Sequence, residues 1–163
     1  MLDVARIEAN VLPLAVTAVP LEPVVADVVA MLEPLATAER VALRISAGES
    51  LDLRADNRRL RQVLLNLVGN AVRYNRAEGT VHIGWAVRER TVEITVRDTG
   101  PGMAPEYLDR LFVPFDRLGA DSEEGVGLGL PLARGLTEAM AGTLDVCSVT
   151  GEGTRVTVAL PLA

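Results

Sequence analysis

The chain has 163 residues, 49% of them hydrophobic and 23% charged, which suffices for one packed domain with at most a short appendage. A formal charge of −6 and an aromatic share of 3% argue against a sequence-independent nucleic-acid binder and leave little to stack on bases. The single cysteine, Cys147, excludes an internal disulfide and a multi-cysteine metal site, and is expected to be a small buried thiol.

Residues 2–10, LDVARIEAN, read as the end of a helix, followed by a Pro-containing linker through Pro20. A helix is predicted over 22–39, with Pro23 in its first turn, Val24, Val25, Val28, Leu32 and Leu35 along one side, and a kink at Pro34. VALRIS (41–46) alternates as a strand and LDLR (51–54) is a short one. Asp56 is placed to cap a helix running to about Tyr74. TVHIGWAV (80–87) and TVEITVRD (91–98) predict a hairpin, and PEYLDRLF (105–112) a short helix begun by Pro105. A loop leads to Gly125, and the helix after the glycines runs to about Ala141 with Gly142 as its stop. TLDVCSV and GTRVTVAL form a second hairpin around TGEG. The expected fold class is α/β, a two-layer sandwich of a mixed, largely antiparallel sheet covered on one face by helices.

No apolar run approaches the ~18 residues of a membrane span, prolines interrupt the most apolar stretch, and no signal-peptide pattern opens the chain. The expectation is a soluble, intracellular domain. All 16 basic residues are arginines. The absence of lysine removes the P-loop phosphate binder, the lysine of the eukaryotic-type kinase fold and all Schiff-base chemistry.

Three constellations could carry chemistry. On the helix beginning at Asp56, a period of 100° per residue aligns Arg59, Gln62, Asn66, Asn70 and Arg73 in one narrow stripe. Leu60, Leu64, Leu67 and Ala71 flank it on one side, Leu65 and Val72 on the other. The stripe is either a solvated face with two incidental amides or the wall of a polar cleft, where amide oxygens suit a hard cation such as Mg²⁺. In VEITVRDTGPGM, Asp98 continues the face of Val92, Ile94 and Val96, so a carboxylate is aimed toward the core where the strand ends. It either opens the TGPG turn or bonds a donor on a flat ligand, with Gly100 and Gly102 allowing close approach. In EEGVGLGL, Gly125, Gly127 and Gly129 precede a helix. They make a turn or, equally, an anion cradle from backbone N–H groups. The spacing is neither that of a dinucleotide fingerprint nor that of a P-loop.

Taken in order, NLVGNAVRY, DTGPGM, LFVPFDRLG, GVGLGL and GEGTRVTVALPL resemble the ATP-binding catalytic domain of bacterial sensor histidine kinases. These belong to the GHKL superfamily, shared with gyrase and mismatch-repair ATPases. The resemblance spans residues 22–163, and LDVARIEAN is similar to the end of the second dimerisation helix of these kinases. It implies residues 1–20 as the end of that helix plus a linker, and 21–163 as the ATP-binding catalytic domain.

The resemblance also implies the site. Asp98 would bond the adenine amine, with Gly100, Gly102 and Met103 shaping the pocket and Thr154 beside it. Asn70 would ligate Mg²⁺, with Asn66 one turn earlier. Arg73 would face the phosphates and Tyr74 would pack near the base. Phe112 and Phe115 match the aromatic box at the base of the ATP lid, and Arg117 a lid cation able to reach the terminal phosphates. Gly125, Val126, Gly127, Leu128 and Gly129 match the glycine box that wraps the phosphates. Asn66 and Arg117 would stand nearest the transfer chemistry.

Three departures concern the lid and its helix. Val126 replaces a usual Thr or Ser, Pro131 follows the box where smaller residues are common, and Ala141 replaces the first glycine of a Gly-Gly pair.

The implied function is to bind ATP with Mg²⁺ and donate the γ-phosphoryl group to a histidine on the dimerisation domain of the same kinase. A response-regulator receiver domain would be the indirect partner; nucleic acid and membrane contact are not expected. The implied location is cytoplasmic, under a parent kinase that could be anchored in the inner membrane. The only histidine, His82, shares no face with Val81, Ile83 and Trp85 and has no acidic neighbour, so the acceptor is expected outside residues 1–163. Two alternatives remain: a nucleotide-binding or docking module without transfer, or an ATP-hydrolysing GHKL machine. The second is disfavoured, because those ATPases carry a glutamate base where this chain has Asn66, and an amide cannot accept the proton.

Overall fold

The computed structural model describes residues 13–46, 48–108 and 129–163. Its elements run β1 (Thr17–Pro20), α1 (Leu21–Glu39), β2 (Ala42–Ile45), β3 (Asp52–Ala55), α2 (Asn57–Arg73), β4 (Thr80–Arg88), β5 (Thr91–Asp98), α3 (Pro105–Leu108), α4 (Gly129–Ala139), β6 (Thr143–Val149) and β7 (Gly153–Pro161).

The main sheet has the order β2-β4-β5-β7-β6. β2 runs parallel to β4, and every other pair is antiparallel. Strict alternation puts Val81, Ile83 and Trp85 of β4, Val92, Ile94 and Val96 of β5, and Val156, Val158 and Leu160 of β7 on one buried face. α1, α2 and α4 cover that face. α2 lies centrally and contributes Leu60, Val63, Leu64, Leu67, Val68 and Val72 to the core. The expected two-layer sandwich with a mixed sheet is the architecture found.

α2 begins where its cap chemistry dictates. Asp56 has an extended backbone, and its Oδ1 accepts from the Arg59 amide at 3.1 Å. Its Oδ2 accepts from the Ala15 amide at 2.8 Å, which ties the incoming chain to this helix. α1 continues through Pro34 to Glu39 and ends on Arg40, whose φ of 57° is left-handed.

Three local expectations are corrected. Residues 17–20, expected as linker, form β1, which pairs antiparallel with β3 in a separate two-stranded sheet and buries Val19. Nothing in the local pattern announces this pairing, since the partners are more than thirty positions apart. Cys147 is exposed, not buried. β6 is an edge strand whose Leu144 faces the helices, so Cys147 shares the opposite face with Thr143 and Asp145. The stop after α4 is not a left-handed Gly142. Ala141 takes that conformation, with φ of 64°, while a Cβ on Gly142 would lie 2.3 Å from the Ala159 carbonyl.

A left-handed residue with a Cβ costs about 1–2 kcal/mol, part of which a glycine returns through unfolded-state entropy. Ala141→Gly is therefore expected to stabilise the domain by roughly 0.5–1 kcal/mol, a rise of about 2 °C in Tm by calorimetry. A fall in Tm would mean that the Ala141 methyl makes packing contacts worth more than its backbone strain.

Candidate functional site

The C-terminal end of α2, the end of β5 and the β6–β7 turn meet, with the half-buried stripe of α2 leading up to them. Asp98 sits at the last position of β5. Its Oδ1 accepts from the amides of Gly100 at 2.9 Å and Thr154 at 3.2 Å. The first contact is the turn-opening bond expected of an aspartate. The second fastens the carboxylate to β7. Among the described residues Oδ2 has no hydrogen-bond partner, so one carboxylate oxygen is held rigidly and the other is open. Burial pushes this carboxyl above the usual carboxylate range, and the amides of Gly100 and Thr154 pull it partly back.

The glycines of TGPG are required by close backbone approach. A Cβ on Gly100 would lie 2.8 Å from the Tyr74 carbonyl. Gly102, at φ of 71°, would place one 2.2 Å from the Val149 carbonyl. This loop is thus clamped between the end of α2 and the second hairpin. Met103 donates its amide to Ser148 Oγ at 2.8 Å, and that hydroxyl also bonds Thr154 Oγ1 at 2.9 Å. Met103 and Thr154 therefore sit together through Ser148.

On α2, Arg59, Gln62, Asn66 and Asn70 are all half-buried, which fits a cleft wall rather than a broad solvated face. Arg59 donates to Gln62 Oε1 at 2.9 Å. Asn66 Nδ2 donates to the Gly129 carbonyl at 2.7 Å, and Asn70 Nδ2 donates to Asn66 Oδ1 at 3.4 Å. The arrangement uses the amide nitrogen of Asn70 and leaves its Oδ1 without a partner among the described residues, which suits a hard cation. Among those residues no group of three His, Cys, Asp or Glu could hold a metal, so any cation here needs ligand and water oxygens as well. Arg73 and Tyr74 are exposed at the end of α2, Tyr74 at 53%. Phe112, Phe115, Arg117, Gly125, Val126, Gly127 and Leu128 lie outside the described residues.

Residues 55–163 match the family model described as histidine kinase-, DNA gyrase B- and HSP90-like ATPase. The chain belongs to this family. Within it, the chain is similar to the cell-division control histidine kinase PdhS of Brucella anthropi, 36% identical over 99% of this chain and 16% of that protein. PdhS of Brucella abortus strain S19 is equally similar, at 36% over 17% of its length. The chain thus spans about a sixth of the curated relatives it matches. Among solved structures, full-length ShkA in complex with AMPPNP superposes with a TM-score of 0.88 at 32% identity, over 99% of this chain and 34% of that one. The catalytic domain of histidine kinase ThkA, nucleotide-free, has the same fold at a TM-score of 0.81 and 24% identity, over 91% of this chain and 97% of that one. The chain is the ATP-binding catalytic domain of a histidine kinase in the GHKL superfamily. None of the helices among its described residues is long and apolar enough to cross a membrane.

This histidine kinase domain has site supports that the motif reading missed. Arg76 donates through Nη2 to the Gly100 carbonyl at 3.1 Å and the Gly151 carbonyl at 3.5 Å, bracing the Asp98 loop against the β6–β7 turn. Asn75 accepts from the Arg76 amide at 2.8 Å and donates to the Thr80 carbonyl at 3.0 Å. Ser148 joins Met103 to Thr154. An arginine, an asparagine and a serine just outside the quoted boxes carry no sequence signal of their own, because their partners come from loops folded back from elsewhere.

Proposed function

We propose that the domain binds ATP with Mg²⁺ and donates the γ-phosphoryl group to a histidine on the dimerisation domain of its own kinase. The observation that carries the nucleotide part is Asp98: a half-buried carboxylate with one oxygen pinned by two backbone amides and the other open. An open acceptor beside glycine-lined backbone suits the exocyclic amine of adenine. Gly100 and Gly102 let the loop pack against the Tyr74 and Val149 carbonyls and so hold Asp98 in place, and Met103 and Thr154 would flank the flat ring. Asn70, oriented by Asn66, offers one oxygen to Mg²⁺. Bound there, the ion would neutralise charge on the phosphates. Arg73, three residues on from Asn70, would face the phosphates; Gly129 accepts from Asn66, and Phe112, Phe115, Arg117 and the stretch from Gly125 to Leu128 would complete the phosphate cradle.

Transfer needs an imidazole nitrogen in line with the γ-phosphorus: the new N–P bond forms, the bond to the β,γ-bridging oxygen breaks, and ADP leaves. His82 is on β4, on the sheet face away from the helices, and so cannot serve as the acceptor. Hydrolysis is the weaker reading, because the Asn66 amide is occupied as a donor to Gly129 and has no basic lone pair for water.

The test mixes this chain with the histidine-bearing dimerisation domain of its kinase and γ-labelled ATP. The expected result is acid-labile phosphohistidine on the partner, no label on this chain, and negligible release of phosphate by the chain alone. Steady multiple-turnover hydrolysis by the isolated chain, dependent on Asp98, would replace the kinase reading with an ATPase one. Nucleotide binding without label on the partner would leave a docking module.

A further inference from the structure

Four basic side chains stand in one line on the face of the main sheet that the helices do not cover. The register sets Arg44 opposite His82, His82 opposite Arg97, and Arg97 opposite Arg155, on four successive strands. At about 4.8 Å between strands the line extends roughly 14 Å. Arg44, Arg97 and Arg155 are exposed and His82 is half-buried. The rows on either side are short, with Gly84, Thr95 and Thr157 in one and Thr80 and Thr99 in the other, and the one acid beside the line is Asp145, paired with Thr157 at the β6 edge. The long cations therefore project beyond their neighbours.

Among the described residues none of these three arginines makes an ion pair or a side-chain hydrogen bond. Like charges directly opposite each other on paired strands are destabilising, as Arg97 and Arg155 must be. The chain as a whole is acidic, at −6. An aligned, unneutralised cationic row on such a chain is an arrangement that a matching anion would relieve.

We infer that this row is a docking surface for an acidic helix of a partner protein. A helix with acids at every third or fourth position presents carboxylates about 5–6 Å apart in a line, which matches the strand spacing. A flat anionic membrane fits less well. It would also meet Glu93 and Asp145, which lie on the same face within two rows of the line. Single-stranded nucleic acid is disfavoured because the residues of the row and its neighbours include no aromatic on which a base could stack. The row is on the opposite face of the sheet from the Asp98–Asn70 cleft, so docking and nucleotide binding are separable.

The test uses the whole chain and two alanine-based helical peptides of identical composition, one with four glutamates in a single stripe and one with them scattered around the helix. Fluorescence anisotropy at low salt is expected to show the striped peptide binding roughly ten-fold more tightly. Arg97→Glu with Arg155→Glu is expected to abolish the preference and to transfer it to a lysine-striped peptide, with ATP affinity unchanged. Arg97→Gln with Arg155→Gln, which removes charge without reversing it, is expected to lose the preference and gain none. Equal binding of the two peptides, or an unchanged preference in either variant, overturns the inference. Phosphatidylserine vesicles binding where the striped peptide fails would overturn it in favour of a lipid surface.

Discussion

Asp98→Ala is expected to weaken ATP binding by about ten- to a hundred-fold, the equivalent of one charge-assisted hydrogen bond of roughly 1.5–3 kcal/mol. The alanine removes the open Oδ2 and also the acceptor that Gly100 and Thr154 share, so the loop loses its attachment to β7 as well. GTP is expected to bind the wild type poorly, because its ring carbonyl would face the carboxylate. Asp98→Asn separates the two roles, since an amide oxygen can still accept from both backbone amides while the charge is gone. Calorimetry with ATP and GTP on the three proteins checks this, and equal affinity for the two nucleotides in the wild type would sink the assignment.

The same pair of proteins carries a pH signature. Burial raises the Asp98 carboxyl above its ordinary range, so the folded state holds the proton more tightly than the unfolded chain does. Between the ordinary and the raised value the folded state binds more protons, and stability falls as pH rises. At neutral pH the wild type therefore bears a cost that Asp98→Asn does not, and the two are expected to converge in acid where both are uncharged. A Tm for Asp98→Asn below wild type at pH ~7, with the gap persisting in acid, would contradict the assigned burial cost.

Asn70→Leu is expected to abolish most of the Mg²⁺ dependence of ATP binding while the domain stays folded. Leucine is close to asparagine in size, and the position is half-buried at the edge of a core already filled by Leu67 and Ala71. What disappears is the one amide oxygen that the Asn66 contact leaves open. Asn70→Asp supplies an oxygen of higher charge and is expected to retain the dependence. The measurement is a Mg²⁺ titration of ATP affinity in the three proteins, with thermal unfolding as the folding control. An unchanged titration in the leucine variant would move the ligand to another residue.

Most elements were legible because their signals are local. The period of two in TVHIGWAV and TVEITVRD, the alignment of Asn66 with Asn70, and Asp56 ahead of its helix follow from backbone geometry within one turn or one strand. They reappear as β4, β5 and α2 within a residue or two of the expected limits. The order of the motif boxes carried the family for the same reason, since each box is a contiguous stretch.

Tertiary structure alone decided the rest, and in every case the partner is distant in sequence. Cys147 was expected inside because free cysteines usually are, but exposure depends on which strand forms the edge and which face the helices cover. Gly142 looked like a helix stop by identity, yet it is the approach of Ala159, from β7, that requires the missing Cβ there, and Ala141 takes the left-handed turn. Asp98 could be read as a carboxylate at a strand end. That one oxygen is pinned by Thr154, 56 positions away, while the other stays open depends on the β5–β7 register. Arg76 reaches Gly100 and Gly151 for the same kind of reason. Local sequence determines which backbone states and faces a segment prefers; which distant segments meet on those faces depends on register and packing across the whole chain.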